Sequence, residues 1–389
     1  MSIFDGKLKI EVATASGIEA VTKRELVRLG YEPSGANFGR ITFDGDFKDV
    51  LRANVFLRTA NRVRIVLGTF KAETFDELFD GVSKIDWKEI MPRDAKIVVD
   101  AKSKNSKIFA LSATQSVCKK AIVNSLTNAY KTPLKECGEE YDVEISLVDD
   151  VATVTLDTSG EGLHKRGYRT YLGDAPIRET LASAMILLSV WNPDRPLIDP
   201  FCGSGTIPIE AALKGLKIAP GVNRHFQAES FRERIPAKYW DEAREEARSQ
   251  EIHDVKLQIQ GFDIDRDAIK IARQNAEMAG VADQIHFQVR PMQELSHPKK
   301  YGFIVTNPPY GERLEEKEAL PGLYRDIGET FKKLDTWSYY IITSYEDAER
   351  YIGRKADRNR KIYNGMIRTY FYQYLGPKPP RGASKPEEQ

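Results

Sequence analysis

The spacing of apolar and polar positions changes character near residue 177 of this 389-residue chain. Before it, short alternating runs stand between helical stretches. Residues 8–13 (LKIEVA) predict a strand, and 18–31 a helix with apolar residues at 18, 21, 26, 27 and 29 on one face. Residues 34–37 predict a turn, 40–43 a strand, 46–53 a helix and 63–68 a strand. Short helices at 74–84 and 87–91, a strand at 96–101 and a long amphipathic helix at 112–130 follow. The runs 143–148 and 151–157 alternate around Asp149-Asp150, a hairpin signal. Beyond 177, helices at 178–191, 206–214, 266–279 and near 324–334 alternate with strands at 196–199, 257–263, 285–289, 302–306 and 338–343. That alternation predicts a parallel, doubly wound sheet. Extended runs at 360–363 and 366–374 around the turn Asn364-Gly365 close the chain. Residues 218–251, long, charged and partly helical, read as an insertion.

Composition narrows this only locally. The 58 basic and 57 acidic residues nearly cancel, so net charge neither favours nor excludes a nucleic-acid partner. Residues 96–131, however, hold seven lysines (96, 102, 104, 107, 119, 120, 131) and one acid, Asp100, a pattern of either a solvated face or a phosphate-contacting surface. Cys118, Cys137 and Cys202 form no Cys-x-x-Cys pair, and the five histidines (164, 225, 253, 286, 297) have no metal-ligand spacing. No metal is expected. No run approaches the ~18 apolar residues of a membrane span, and the charged start MSIFDGKLKIEVA does not resemble a signal peptide. The expectation is a cytoplasmic protein with a loosely attached Pro/Lys/Glu-rich tail from Gly376 onward.

Three strand ends carry the candidate chemistry. Asn307-Pro308-Pro309-Tyr310 follows the buried run 303–305, and its prolines stop the ladder at once. It offers an amide acceptor beside a ring that can stack, which suits a planar base bearing an amino group. Asp199-Pro200-Phe201-Cys202-Gly203-Ser204-Gly205-Thr206 joins a strand to a helix. Its glycines allow close backbone approach to a ligand, and the helix start presents free N–H groups. It lacks the three spaced glycines of a dinucleotide fingerprint and the Gly-Lys-Ser/Thr of a phosphate loop. An acid at the strand tip favours a ligand with an amino group. Asp263, in Gly261-Phe262-Asp263-Ile264-Asp265, ends the next strand where ribose hydroxyls commonly bind, and Asp265 suits the cap of the following helix. Cys202 has no partner base and reads as packing.

Taken in order, DPFCGSGT, GFDID and TNPPYGER resemble a class I S-adenosylmethionine-dependent methyltransferase of the amino-methylating group. SGEGLHKRGYR (159–169) and APIRETLASAM (175–185) resemble the junction in THUMP-domain RNA methyltransferases. The nearest likeness is to the bacterial 23S rRNA guanine-N2 methyltransferase family, whose members often carry the label of N6-adenine-specific DNA methylases. The resemblance implies an α/β chain. Its C-terminal Rossmann-like domain would hold a seven-stranded, mostly parallel sheet with a terminal antiparallel hairpin, preceded by small α+β ferredoxin-like and THUMP domains. The implied divisions are 1–68 (ferredoxin-like), 69–160 (THUMP), 161–176 (linker), 177–376 (methyltransferase) and 377–389 (tail).

It further implies S-adenosyl-L-methionine as cofactor, held by Asp199, Pro200, Phe201, Gly203, Gly205, Thr206, Ile264 and Asn307, with Asp263 taking the ribose hydroxyls. Where the family often has an acid beside the adenine, this chain has Pro291, so Met292 with Gln293 is the candidate there. Catalysis falls to Asn307, Pro308, Pro309 and Tyr310, with the Asn307 oxygen and the Pro308 carbonyl as acceptors for the amine. The expected partner is structured RNA, rRNA above all. Alternatives are a tRNA guanine, adenine N6 in DNA, or a noncatalytic RNA-binding assembly role. His164, Lys165, Arg166 and Arg169 are expected either to touch RNA or to tie domains together.

Overall fold

The computed structural model describes residues 6–37, 39–169, 177–231, 235–311 and 314–380, leaving aside the side chains of 36, 37 and 314–316. Part of the expected linker, Glu312-Arg313 and the end of the tail lie outside the described residues. The chain forms two compact units. The first comprises Met1–Thr14, Thr22–Leu163 and Pro220–Ser249, and the second Ala15–Val21, His164–Ala219 and Gln250–Gln389.

The first unit runs β1 (Leu8–Thr14), α1 (Glu19–Arg28, its first residues counted with the second unit), β2 (Ser34–Asn37), β3 (Arg40–Gly45), α2 (Phe47–Phe56) and β4 (Ala60–Lys71). It continues through α3 (Phe75–Ser83), α4 (Trp87–Ile90), β5 (Lys96–Lys104), α5 (Leu111–Tyr130), β6 (Glu140–Val148) and β7 (Val151–Asp157). All seven strands form one sheet, ordered β2-β3-β1-β4-β7-β6-β5. β4 makes this continuity, because it pairs with β1 through its first half and with β7 from Arg64 to Lys71. A buried ion cluster supports the join. Arg64 reaches Glu11 at 3.2 Å and Glu144 at 3.0 Å, and Arg40 bridges the same two acids. Asp149 and Asp150 take φ of 51° and 63°, as a two-residue hairpin turn of the favoured twist requires.

The expected turn at 34–37 is instead a short edge strand. Ser34 pairs with Thr42 and Asn37 with Arg40, and a register shift between them absorbs Gly35 at φ 60°. The lysine-rich stretch is less free than its sequence suggests. Lys96, Lys102, Lys107 and Lys119 each meet a carboxylate, those of Glu140, Glu144, Glu73 and Glu136.

The second unit holds α6 (Glu179–Leu188), β8 (Leu197–Asp199), α7 (Thr206–Gly215), β9 (Ile259–Asp263), α9 (Arg266–Met278), β10 (Ile285–Val289), β11 (Phe303–Thr306), α10 (Leu314–Lys332), β12 (Ser338–Thr343), α11 (Ala348–Ile352), β13 (Arg358–Asn364) and β14 (Ile367–Tyr374). Its sheet is ordered β10-β9-β8-β11-β12-β14-β13, parallel as far as β12, with β14 antiparallel to both neighbours. Strand order reverses between β8 and β11, the place where open α/β sheets bind ligands. One apolar cluster gathers α6, α7 and α9 residues, and another gathers α10, including Leu320, Tyr324 and Ile327. The hairpin turn sits one residue later than the Asn-Gly signal suggests. Asn364 still pairs with Ile367, and Gly365 (φ 63°) and Met366 make the bend.

The insertion folds with the first unit. Its helix α8 (Ala237–Ser249) sends Glu246 to Arg52, both bonds at 2.8 Å. Phe226 stacks on Trp240, and Phe231 on Tyr141 at 4.2 Å.

Candidate active site

The carboxyl ends of β8, β9 and β11 bring together the sequence-predicted residues of the glycine loop, the second acid and the Asn-Pro-Pro-Tyr turn. Asp199 ends β8 and is 1% exposed. Its Oδ1 accepts from Thr306 Oγ1 at 2.6 Å and from the Phe201 amide at 3.1 Å. Burial raises its pKa to about 7 despite those two donors, with nearby Asp263 adding a smaller push. Thr306, which the sequence reading passed over, is thus the tie between the tips of β8 and β11.

Asp263 closes the other side. Its Oδ2 accepts from the Gly203 amide at 2.9 Å and its Oδ1 from the Asp265 amide at 3.0 Å. Asp265 caps α9 through the Asp267 amide, as its position suggests. Gly205 is the N-cap of α7 at φ 83°. A Cβ there would lie 3.0 Å from both Ala272 Cβ and Phe287 Cζ, so glycine is required by conformation and by space. Gly203, at φ 49°, has nothing within 4 Å of such a Cβ and borders open space. From α9, the buried Asn275 holds the loop by donating to the Ser204 carbonyl at 3.0 Å. Cys202 is buried, and burial pushes its thiol well above the ordinary range, consistent with packing rather than nucleophilic chemistry.

On the third strand end, the Tyr310 hydroxyl donates to Asn307 Oδ1, so the motif closes on itself. Beneath it the fully buried Tyr324 of α10 meets Thr343 Oγ1 at 2.6 Å and donates to the Pro309 carbonyl at 3.4 Å. Burial drives the Tyr324 phenol upward, so it stays protonated as a donor. Pro308 is buried and Pro309 exposed. Ile264 is 74% exposed, while Met292 is 3% exposed and belongs to the same apolar cluster as Phe262 and Tyr324. Gln293 bonds Asp326 at 3.1 Å.

Arg166 and Arg169 are not surface residues. Arg166 Nε lies 3.4 Å from the buried Glu210, which also accepts from Tyr168 at 3.0 Å and from Ser183. Arg169 donates to the Ile177 carbonyl and to Thr206 Oγ1 and meets Glu179 at 3.5 Å. Both arginines therefore brace the glycine-loop helix α7 from inside the second unit. Among the described residues no metal-ligating cluster occurs, and no helix is long and apolar enough to cross a membrane.

Residues 166–373 match the methyltransferase-domain family described as RMKL-like. The chain belongs to that family. Residues 9–64 match the RlmL ferredoxin-like domain and 72–157 the THUMP domain. Among relatives, a Bacillus subtilis protein provisionally named as the RNA methyltransferase YpsC is 47% identical over 93% of this chain and 95% of its own length. The ribosomal RNA large subunit methyltransferase K/L of Aliivibrio salmonicida is 35% identical over 91% of this chain. The chain spans about half of that larger protein, 51% of its length. Among solved structures, the provisionally assigned methyltransferase SMU.472, complexed with SAH (S-adenosylhomocysteine), superposes with a TM-score of 0.91 at 42% identity, covering 96% of this chain and 99% of its own. The RMKL-like domain is thus a class I methyltransferase fold carrying its ferredoxin-like and THUMP modules on one chain.

Proposed function

We propose that the protein transfers the methyl group of S-adenosyl-L-methionine to the exocyclic N2 amine of a guanine in large-subunit rRNA. The observation that carries this reading is the Asn307 side-chain oxygen, which follows Thr306, the partner of Asp199, at the β11 tip and is occupied by a hydroxyl proton from Tyr310. An acceptor already engaged by a donor of this kind suits an N–H donor in its place. The cofactor supplies an electrophilic methyl on a sulfonium. The open space at Gly203 and the acids Asp199 and Asp263 fit such a ligand. Both bonds to Asp199 fall on Oδ1, which leaves Oδ2 for the amino group, while Asp263 takes the ribose hydroxyls. In this reading Pro200, Phe201, Gly205, Thr206, Ile264 and Met292 complete the cofactor-holding set.

The base amine is a weak nucleophile because its lone pair is shared with the ring. Asn307 Oδ1 and the Pro308 carbonyl accept its two hydrogens, and these bonds strengthen as positive charge grows on nitrogen, so they favour the transition state over the ground state. Tyr310 stacks on the base once it has left its helix. Positioning, rather than acid-base chemistry, supplies the acceleration. The names of the relatives and the THUMP module favour RNA as the polymer. The motif suits adenine N6 equally, and the choice of guanine N2 rests on the resemblance to the 23S rRNA guanine-N2 methyltransferase family. The test is to incubate the protein and labelled S-adenosylmethionine with RNA and DNA from a strain lacking its gene, followed by mass spectrometry of the nucleosides. N2-methylguanosine in large-subunit rRNA is expected. N6-methyladenine in DNA as the sole product overturns the reading.

A further inference from the structure

The strongest unassigned feature is the hairpin of β13 and β14. Residues 354–368 carry six basic side chains (Arg354, Lys355, Arg358, Arg360, Lys361, Arg368) against a single acid, Asp357. In a chain of net charge +1, this is a denser excess than that of residues 96–131, where four of seven lysines meet carboxylates. Asp357 is taken by Arg354 and Arg368 meets Glu346. Arg358 and Lys361 are exposed, with no carboxylate partner among the described residues. β13 is also the outermost strand of its sheet.

Aromatic rings are interleaved with this charge. Cross-strand register sets Lys361 opposite Tyr370 and Tyr363 opposite Arg368, so these four share one face of the hairpin. Lys361 Nζ lies 5.7 Å from the Tyr363 ring and the Arg368 guanidinium 5.6 Å from the Tyr370 ring. Alternating cations and rings suit a sugar-phosphate backbone with its bases. The hairpin also reaches the candidate active site. Ile367 lines a cavity of about 370 Å³ together with Tyr310, Gly311, Leu320, Ser344 and Tyr345. Its neighbour Met366, at the tip of the bend, is 97% exposed, an apolar side chain held out on a tight turn.

We propose that this hairpin grips the RNA beside the target base: Arg358 and Lys361 hold backbone phosphates, and Met366 enters the base stack to fill the gap left by the extruded nucleotide. The inference rests on the reading of the protein as a methyltransferase that acts on a base removed from its helix. An apolar wedge of this kind offsets part of the unstacking that extrusion demands.

The test uses the full chain and large-subunit rRNA from a strain lacking its gene. Met366→Ala is expected to lower kcat/KM on folded rRNA about tenfold, a fraction of the unstacking free energy, and Met366→Leu to restore it. On the same RNA cut into short single strands, Met366→Ala and wild type are expected to match. The double variant Arg358→Ala/Lys361→Ala is expected to weaken rRNA binding and to shallow the log K against log salt plot by about 1.5, as loss of two phosphate contacts predicts. Binding of S-adenosylhomocysteine, unchanged in every variant, serves as the folding check. Met366→Ala with wild-type kcat/KM on folded rRNA overturns the wedge, and an unaltered salt slope overturns the phosphate contacts. A wild-type protein that binds rRNA but methylates no nucleoside overturns the functional reading instead, while the salt slope still judges the grip.

Discussion

Thr306 Oγ1 donates to Asp199 Oδ1 at 2.6 Å, joining the tips of two adjacent parallel strands across the point where the sheet order reverses. The bond fixes one oxygen of a fully buried carboxyl whose pKa burial has raised to about 7. If Asp199 receives the cofactor's amino group, the ionised form binds best. Affinity for S-adenosylhomocysteine, measured by calorimetry, therefore rises from pH 6 to pH 8 and levels off above. Asp199→Asn weakens binding and flattens the profile.

The same shift sets a stability signature. A carboxyl whose pKa is raised from 3.8 to about 7 on folding contributes stability below pH ~4 that is lost as pH rises through about 7. Asp199→Asn removes the buried charge while keeping an oxygen for Thr306. Its melting temperature relative to wild type is thus higher at pH 8 than at pH 5. The free-energy difference between those pH values is about 3 kcal/mol, because roughly two pH units separate pH 5 from the folded pKa of about 7, at 1.36 kcal/mol per unit.

Tyr310 separates two roles by substitution. Tyr310→Phe removes the hydroxyl from Asn307 and keeps the ring, so steady-state turnover on rRNA stays within about tenfold of wild type. Tyr310→Ala removes the ring and lowers kcat/KM by about 5- to 150-fold, the range of 1–3 kcal/mol for stacking one base. Equal losses in both variants contradict a stacking role.

Tyr324→Phe removes the hydroxyl that donates to the Pro309 carbonyl and pairs with Thr343 Oγ1. Chemical denaturation is expected to show a loss of about 1–2 kcal/mol, as for a buried hydrogen bond left unmade. Turnover falls while S-adenosylhomocysteine affinity holds, because the change lies under the Asn-Pro-Pro-Tyr turn and away from the glycine loop.

Gly205→Ala meets Ala272 and Phe287 and forces a side chain into a left-handed conformation. Cofactor affinity is expected to fall at least tenfold, with destabilisation of about 1–2 kcal/mol. Isothermal calorimetry and thermal melts read both.

Much of this was legible in the chain. The period change at 177 marks the parallel sheet, Asp149-Asp150 marks a hairpin, and the three strand-end strings converge at one site. What escaped depends on partners far away in sequence. Ser34 to Asn37 has turn-like composition, and only pairing with β3 makes it a strand. Arg166 and Arg169 look like surface cations until Glu210 and Glu179 are brought to them. Four lysines of residues 96–131 are likewise met by acids from other elements. Tyr324 gives no local signal, because its role comes from lying under Pro309.

The central claim is that Asn307 acts on the amine and not on cofactor binding. The decisive measurement sets labelled methyl transfer to rRNA beside S-adenosylhomocysteine affinity in Asn307→Ala. The account predicts transfer abolished and affinity within about threefold of wild type, less than 1 kcal/mol at 1.4 kcal/mol per decade. Wild-type turnover in that variant contradicts it.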